Sequence, residues 1–215
     1  MPVVRTVSVG RPHDAAWVDD EATSIEKLPV EGPVEVGLLG LAGDQVSDTI
    51  HHGGPDQALY VFAREDLDRW GEVLGLPIRD GQFGENLTTS GIDVNEAELG
   101  ERWRIGTALF EVASVRQPCY KFQGWMGASG FDNLQWVKRF AADRRPGPYL
   151  RVLEPGRIAA GDELSVVHRP GHGVTVTLMF RALLFEPALL PRLLEVDGLV
   201  AGARRKAEAY VSARP

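Results

Sequence analysis

The sequence predicts a mainly β fold: a β-rich, mostly antiparallel body with a few capping helices over residues 1–170, then a small helical domain over residues 171–215. Three observations carry this. Short runs of β-branched and apolar residues recur between Gly, Pro and Asp punctuation through most of the chain. Before residue 170, two stretches show helical spacing of apolar residues. Beyond "HRPGHG" the strand punctuation disappears, and apolar segments follow that are broken at Pro187, Pro191 and Gly198.

The strands are expected, in order, in "VVRTVSVG", "VEVGLLGLAGDQ", "ALYVFA", "GENLTTSGI", "ERWRIGTALFEVASVRQ", "YLRVLE" and "DELSVVHRP". In the fifth, Gly106-Thr107 predicts a hairpin turn. The first helix is expected in "AREDLDRWGEVLG": Glu65 and Asp66 open it, Leu67, Trp70 and Leu74 share a face, and Gly75 closes it. The second is expected in "FDNLQWVKRFAADRRPG", with Phe131, Leu134, Val137 and Phe140 near helical spacing and Pro146 as the stop. No internal repeat or low-complexity segment is present.

Of the 215 residues 44% are hydrophobic and 25% charged, which supports a globular chain able to bury a full core. No apolar run approaches the roughly 20 residues of a membrane span, and "MPVVRTVSVG" lacks the pattern of a secretory signal, so a cytoplasmic location and no membrane partner are expected. The single cysteine argues against a disulfide-stapled scaffold. A net charge of −7 argues against a nucleic-acid polymer as partner. It leaves room for a local cationic pocket that takes a small anion, with Arg144, Arg145, Arg151 and the cations around Cys119 as candidates.

"GDQVSDTIHHGGPDQALY" is the densest polar stretch. Its Asp44, Asp48, His51 and His52 are of metal-ligating types, but adjacent histidines in extended chain point to opposite faces. Gly53 and Gly54 either form a structural turn or let a ligand approach the backbone closely. In "GQFGENLTTSG", Asn86 either reads a heterocycle edge or ties the loop to its own backbone. In "VRQPCYKFQGWMG", Cys119 lies between Arg116 and Lys121. Nearby cations favour the thiolate, the form that reacts and binds soft metals; the alternative is an inert, buried thiol.

Together, "GDQVSDTIHHGGPDQALY", "FGENLTTSGI", "LGERWRIGTALFEVASVRQPCYKF" and "GPYLRVLEPGRIAAGDEL", in this order, resemble the MOSC domain over about Val3 to Arg169. The tail resembles the three-helix domain that follows it in YiiM-type bacterial proteins. The resemblance implies a β-barrel that binds the molybdenum cofactor, molybdopterin, a pterin bearing a dithiolene and a phosphate. It implies Cys119 as the molybdenum ligand and catalytic residue, and reduction of N-hydroxylated compounds, such as hydroxylaminopurine-type bases, to amines. Cofactor contacts are then expected from His52, Gly53, Gly54, Asn86, Thr88, Arg116 and Lys121. The chain departs from the pattern at Gly84, where some relatives carry arginine, and at Gln57, where many carry lysine.

No flavin or nicotinamide fingerprint is present, so an external electron-donor reductase is the expected partner. The tail is expected to pack on its own body, to dock a partner or to form a homodimer. Two other readings stay open: a sulfur carrier with a Cys119 persulfide, and a module that binds and transfers the cofactor without turnover.

Overall fold

The computed structural model describes residues 1–17, 22–49 and 52–213. Its first half contains β1 (Val3–Val9), β2 (His13–Asp14), β3 (Ala22–Thr23), β4 (Leu28–Pro29), β5 (Val34–Gly37), β6 (Gly40–Leu41), β7 (Leu59–Ala63), α1 (Arg64–Leu74) and β8 (Leu87–Ser90). There follow β9 (Arg102–Ile105), β10 (Ala108–Val115), α2 (Tyr120–Ala128), α3 (Trp136–Asp143), β11 (Pro148–Glu154), β12 (Gly156–Ile158) and β13 (Leu164–His168). The tail holds α4 (Val176–Leu184), a 3-10 helix (Pro187–Glu195) and α5 (Ala201–Ser212).

Eight strands form one mixed sheet in the order β13-β9-β10-β11-β7-β8-β1-β4. Its pairs are antiparallel except β7 with β8. There α1 lies between the two strands and carries the chain back, as a parallel pair requires. Gly106 and Thr107 make the tight turn between β9 and β10, where Ala108 pairs with Ile105. Strand β10 is buried along nearly its whole length, so "ALFEVASV" shows little polar alternation.

The expected barrel is not closed. Shifts in register between Val4 and Thr6, and twice along β10–β11, bend the sheet on itself. Its ends meet around the isolated bridge between Val3 and Glu163, where the Leu164 N–H donates to the Pro2 carbonyl (3.0 Å), the Val4 N–H to the Asp162 carbonyl (2.9 Å) and the Gly161 N–H to the Val4 carbonyl (2.8 Å). The architecture is a large, curved mixed sheet with helices around it.

Two apolar clusters hold the fold. One joins sheet residues such as Phe110, Leu150 and Val152 to Met179, Phe180, Leu193 and Ala207 of the tail. The tail therefore shares the core of the sheet. The second is aromatic: Phe62, Trp70, Phe83, Phe122, Trp136 and Phe140 pack, largely tilted or edge to face, where α1, α2 and α3 cover one end of the sheet. No helix among the described residues is long and apolar enough to cross a membrane.

The helices differ from expectation in three places. Helix α2 lacks a sequence signal because Gly124 and Gly127 interrupt it; at both, closely packed neighbours leave no room for a side chain. A Cβ on Gly124 would lie 2.6 Å from the Trp17 ring, and one on Gly127 2.3 Å from the Asn133 amide. Helix α3 starts only at Trp136, after Gln135 takes a left-handed conformation (φ 52°). Trp136 and Phe140 are thus its buried residues, and Leu134 is exposed. Pro191 does not break the tail but lies inside the 3-10 helix.

Candidate functional site

A cleft open to solvent forms where several segments converge: Ala22 to Lys27, Asp44 to Asp48 with the His52-Gly53 turn, the start of β7 with Asn86, Arg116 to Lys121, and Tyr149. Its framework is backbone pairing. Asn86 exchanges hydrogen bonds with Tyr60 (2.8 Å from N–H to carbonyl) and accepts from the Ser8 N–H (2.7 Å).

Cys119 lines this cleft, half-buried, as the extended residue that precedes α2 (φ −135°, ψ 168°). Its carbonyl accepts from the Gln123 N–H (3.2 Å), the first turn of the helix. Cys119 is thus placed at the N-terminal end of the helix. Among the described residues no group of three or more His, Cys, Asp and Glu side chains is positioned to hold a metal ion by itself.

Arg116 is 5% exposed. Its guanidinium lies 5.0 Å from the ring centre of Tyr60 and 5.0 Å from that of Phe122. Burial disfavours its charge, yet Tyr149, Tyr60 and Cys119 beside it outweigh burial and hold its pKa above the ordinary arginine value. The same burial pushes the Tyr60 and Tyr149 phenols up. The Arg116 Nε is buried with no hydrogen-bond partner. A cation held this way, with a donor to spare in a cleft, is poised for an anion or a heteroatom acceptor.

Two more cations complete the lining. Lys27 is buried and donates to Asp44 (2.5 Å); burial lowers its pKa, and Asp44 opposes that shift. Lys121 pairs with Asp48 at 3.5 Å, and the Asp48 carbonyl accepts from the His52 N–H at 3.0 Å. Gly53 takes a positive φ of 81°, open to glycine at little strain, and keeps the turn close to Val46.

Of the residues expected at the site, the structure brings Cys119, Arg116, Lys121, His52, Gly53 and Asn86 to one cleft. The Asn86 carboxamide is heavily committed to the protein: it accepts from the Tyr60 N–H (3.1 Å) and donates to the Ser8 carbonyl (3.2 Å) and Asp44 (2.9 Å). These bonds run to β7, β1 and the Asp44 loop rather than to the backbone of its own loop. Thr88 stands apart from the cleft, fully buried, with its hydroxyl donating to Glu85 (3.0 Å), because its strand turns that side chain into the interior. Gly54 lines a neighbouring hollow instead. Lys27, Tyr60 and Tyr149 were not foreseen; nothing in their local sequence marks them.

A family model described as the MOSC domain matches residues 48–165. The chain is 32% identical over 174 residues to the uncharacterized protein YflK of Bacillus subtilis, covering 80% of this chain and 76% of that one. It is 31% identical over 161 residues to YiiM of Escherichia coli, covering 72% and 68%. A Gibberella moniliformis protein named "Reductase" is 30% identical over 78% of this chain, which spans 30% of that protein. The crystal structure of YiiM from Geobacillus stearothermophilus superposes with a TM-score of 0.80 at 26% identity, covering 98% of this chain and 100% of that one. The match runs from the loop that carries His52 to the start of β13 and so takes in most of the cleft: the chain belongs to the MOSC domain family, with YflK and YiiM among its homologues.

Proposed function

We propose that the cleft binds molybdopterin and that the protein is an oxidoreductase that reduces N-hydroxylated compounds, such as hydroxylaminopurine-type bases, to amines. The observation that carries the reading is the pairing of one thiol, Cys119, with the buried Arg116, whose Nε lacks a partner. Family membership and the reductase named among the relatives support the same direction.

The donor set fits the cofactor. Cys119 offers the soft thiolate ligand, and the pterin dithiolene would supply the further sulfur ligands that the protein lacks. Arg116 supplies positive charge for an electron-rich, phosphate-bearing molecule, whereas Lys27 and Lys121 are each paired with a carboxylate, Asp44 and Asp48. When bound, the cofactor would supply two-electron redox chemistry that no side chain provides. The chain's own residues bind and orient: the walls of Tyr60 and Tyr149 keep the guanidinium in a largely dry environment, and the Lys27–Asp44 pair fixes the loop opposite Cys119.

The overall conversion takes R–NHOH, two electrons and two protons to R–NH2 and water. The electrons come from a separate reductase. The test uses cofactor-loaded protein, a chemical electron donor and 6-hydroxylaminopurine, with amine formed and donor consumed both measured. The expected result is one amine per two electrons, lost in Cys119→Ala. Loaded native protein that consumes no donor and forms no amine would contradict the proposal, and a sulfane sulfur on Cys119 in that sample would favour a sulfur carrier.

A further inference from the structure

A second hollow, open to solvent, adjoins the cysteine cleft between the Gly53 to Gln57 turn and the tail helices α4 and α5. Gly53 and Gln57 line both spaces. The chain from Arg116 to Cys119 runs along their boundary: Arg116 and Cys119 line the cleft, whereas Gln117 lines the hollow. The two walls of the hollow differ in chemistry. Met179, Leu183 and Val200 of the tail are apolar, with Lys206 beside them, while Gln57, Ser114 and Gln117 carry amide and hydroxyl groups and Asp56 a carboxylate.

Besides the Arg116 Nε, a second atom at this boundary is unsatisfied. The Gln57 Oε1 is shielded from solvent and has no hydrogen-bond donor. A buried carbonyl oxygen of this kind is satisfied when a ligand brings an N–H to it. A side-chain carboxamide presents an acceptor and two donors in one plane, which suits the edge of a flat nitrogen heterocycle. An apolar wall opposite gives such a ring a face to rest on.

We infer that this hollow receives the heterocyclic part of the substrate and that Gln57 is the specificity-determining residue that accepts from an N–H on its edge. The inference rests on the reductase reading, since it gives the ring of an N-hydroxylated base its place while the nitrogen to be reduced reaches toward Cys119. The boundary there is formed partly by Gly53, which has no side chain to obstruct that reach. The tail helices thereby become one wall of a substrate site.

The test has two readouts. In the first, adenine binding to the full chain is measured by calorimetry for the native protein, Gln57→Leu and Gly202→Phe. Gly202 lines the hollow on α5, and a Cβ there meets nothing within 4 Å, so the larger residue is accommodated and narrows the space. The native chain is expected to bind, Gln57→Leu to bind at least tenfold more weakly, and Gly202→Phe to lose binding. Equal binding by all three, or none by the native protein, would overturn the inference.

In the second, the loaded enzymes reduce 6-hydroxylaminopurine or acetamidoxime, which has no ring. Gln57→Leu is expected to raise KM for the purine at least tenfold with kcat within twofold, and to leave acetamidoxime unchanged. Equal loss on both substrates would overturn the assignment of Gln57 to ring recognition. If no substrate is reduced by the native enzyme while adenine binding still depends on Gln57, the reductase reading fails and the purine site stands.

Discussion

The Lys27 ammonium and the Asp44 carboxylate are both buried in the cleft wall, 2.5 Å apart. The pair is asymmetric. Asp44 also accepts from the Gly10 N–H (2.7 Å) and the Asn86 amide (2.9 Å), so it gathers three donors from three parts of the chain. Removing it leaves a buried cation uncompensated. Asp44→Ala is therefore expected to destabilise the fold by about 3–5 kcal/mol. Lys27→Met, which leaves the carboxylate two donors, is expected to destabilise less. Denaturant midpoints for the two variants check the order; equal losses would contradict it.

Asn86 yields a prediction that separates its two readings. Its side chain joins β1, β7 and the Asp44 loop through three hydrogen bonds. Asn86→Ala is expected to lose about 1–3 kcal/mol for each buried group left without a partner. Unfolding measured without cofactor checks this, since a residue that served only the cofactor would leave the stability of the empty protein unchanged.

Glu85 gives the fold a pH dependence. It is fully buried, accepts from the Gly81 N–H (2.6 Å), the Phe83 N–H (2.9 Å) and Thr88, and burial pushes its carboxyl up to about 7 from an ordinary 4.5. Between those values the folded chain binds more protons than the unfolded one, so stability falls as pH rises. The contribution is complete below about 4.5 and gone above about 7, and amounts to roughly 3 kcal/mol at about 1.36 kcal/mol per pKa unit. Denaturant midpoints of native protein and Glu85→Gln across that window check it: the native profile slopes downward relative to the variant, and parallel profiles would contradict the account.

Arg116 is expected to govern retention of the cofactor. Arg116→Gln removes the charge while leaving a polar group between Tyr60 and Phe122. It is expected to lower cofactor occupancy at least tenfold, and Arg116→Lys is expected not to restore it, because an ammonium lacks the flat, multiply donating surface that rests against both rings. Pterin content after gel filtration reads this directly.

How much of this was legible beforehand depended on whether the signal was local. Helix α1 carries its own signals: Glu65 and Asp66 at its start, Leu67 and Trp70 buried, and Gly75 left-handed (φ 69°) at its end. The Gly106-Thr107 turn was legible for the same reason. Helix α2 was hidden because Gly124 and Gly127 serve tertiary packing against Trp17 and Asn133 at the expense of helix propensity. Trp136 and Leu134 exchanged roles because one left-handed residue, Gln135, shifted the start of α3.

Site residues divide in the same way. Cys119, Arg116, His52 and Gly53 stand in dense polar or glycine-bearing motifs and converge on the cleft. Thr88 shares such a motif, but the side-chain direction of its strand takes it into the interior. Lys27 and Tyr149 reach the cleft only through strand pairing and loop closure over long sequence distances. The open sheet in place of a barrel is likewise a matter of how β1 and β13 meet, which neither strand encodes alone.

The central claim is that Cys119 holds molybdenum in this cleft. Its most direct test is the molybdenum and pterin content of protein purified from a molybdate-fed, cofactor-competent host, for the native chain and Cys119→Ala. The account predicts near-stoichiometric molybdenum and pterin in the native protein and loss of molybdenum in the variant. Native protein purified free of pterin, or a variant that retains its molybdenum in full, would contradict it.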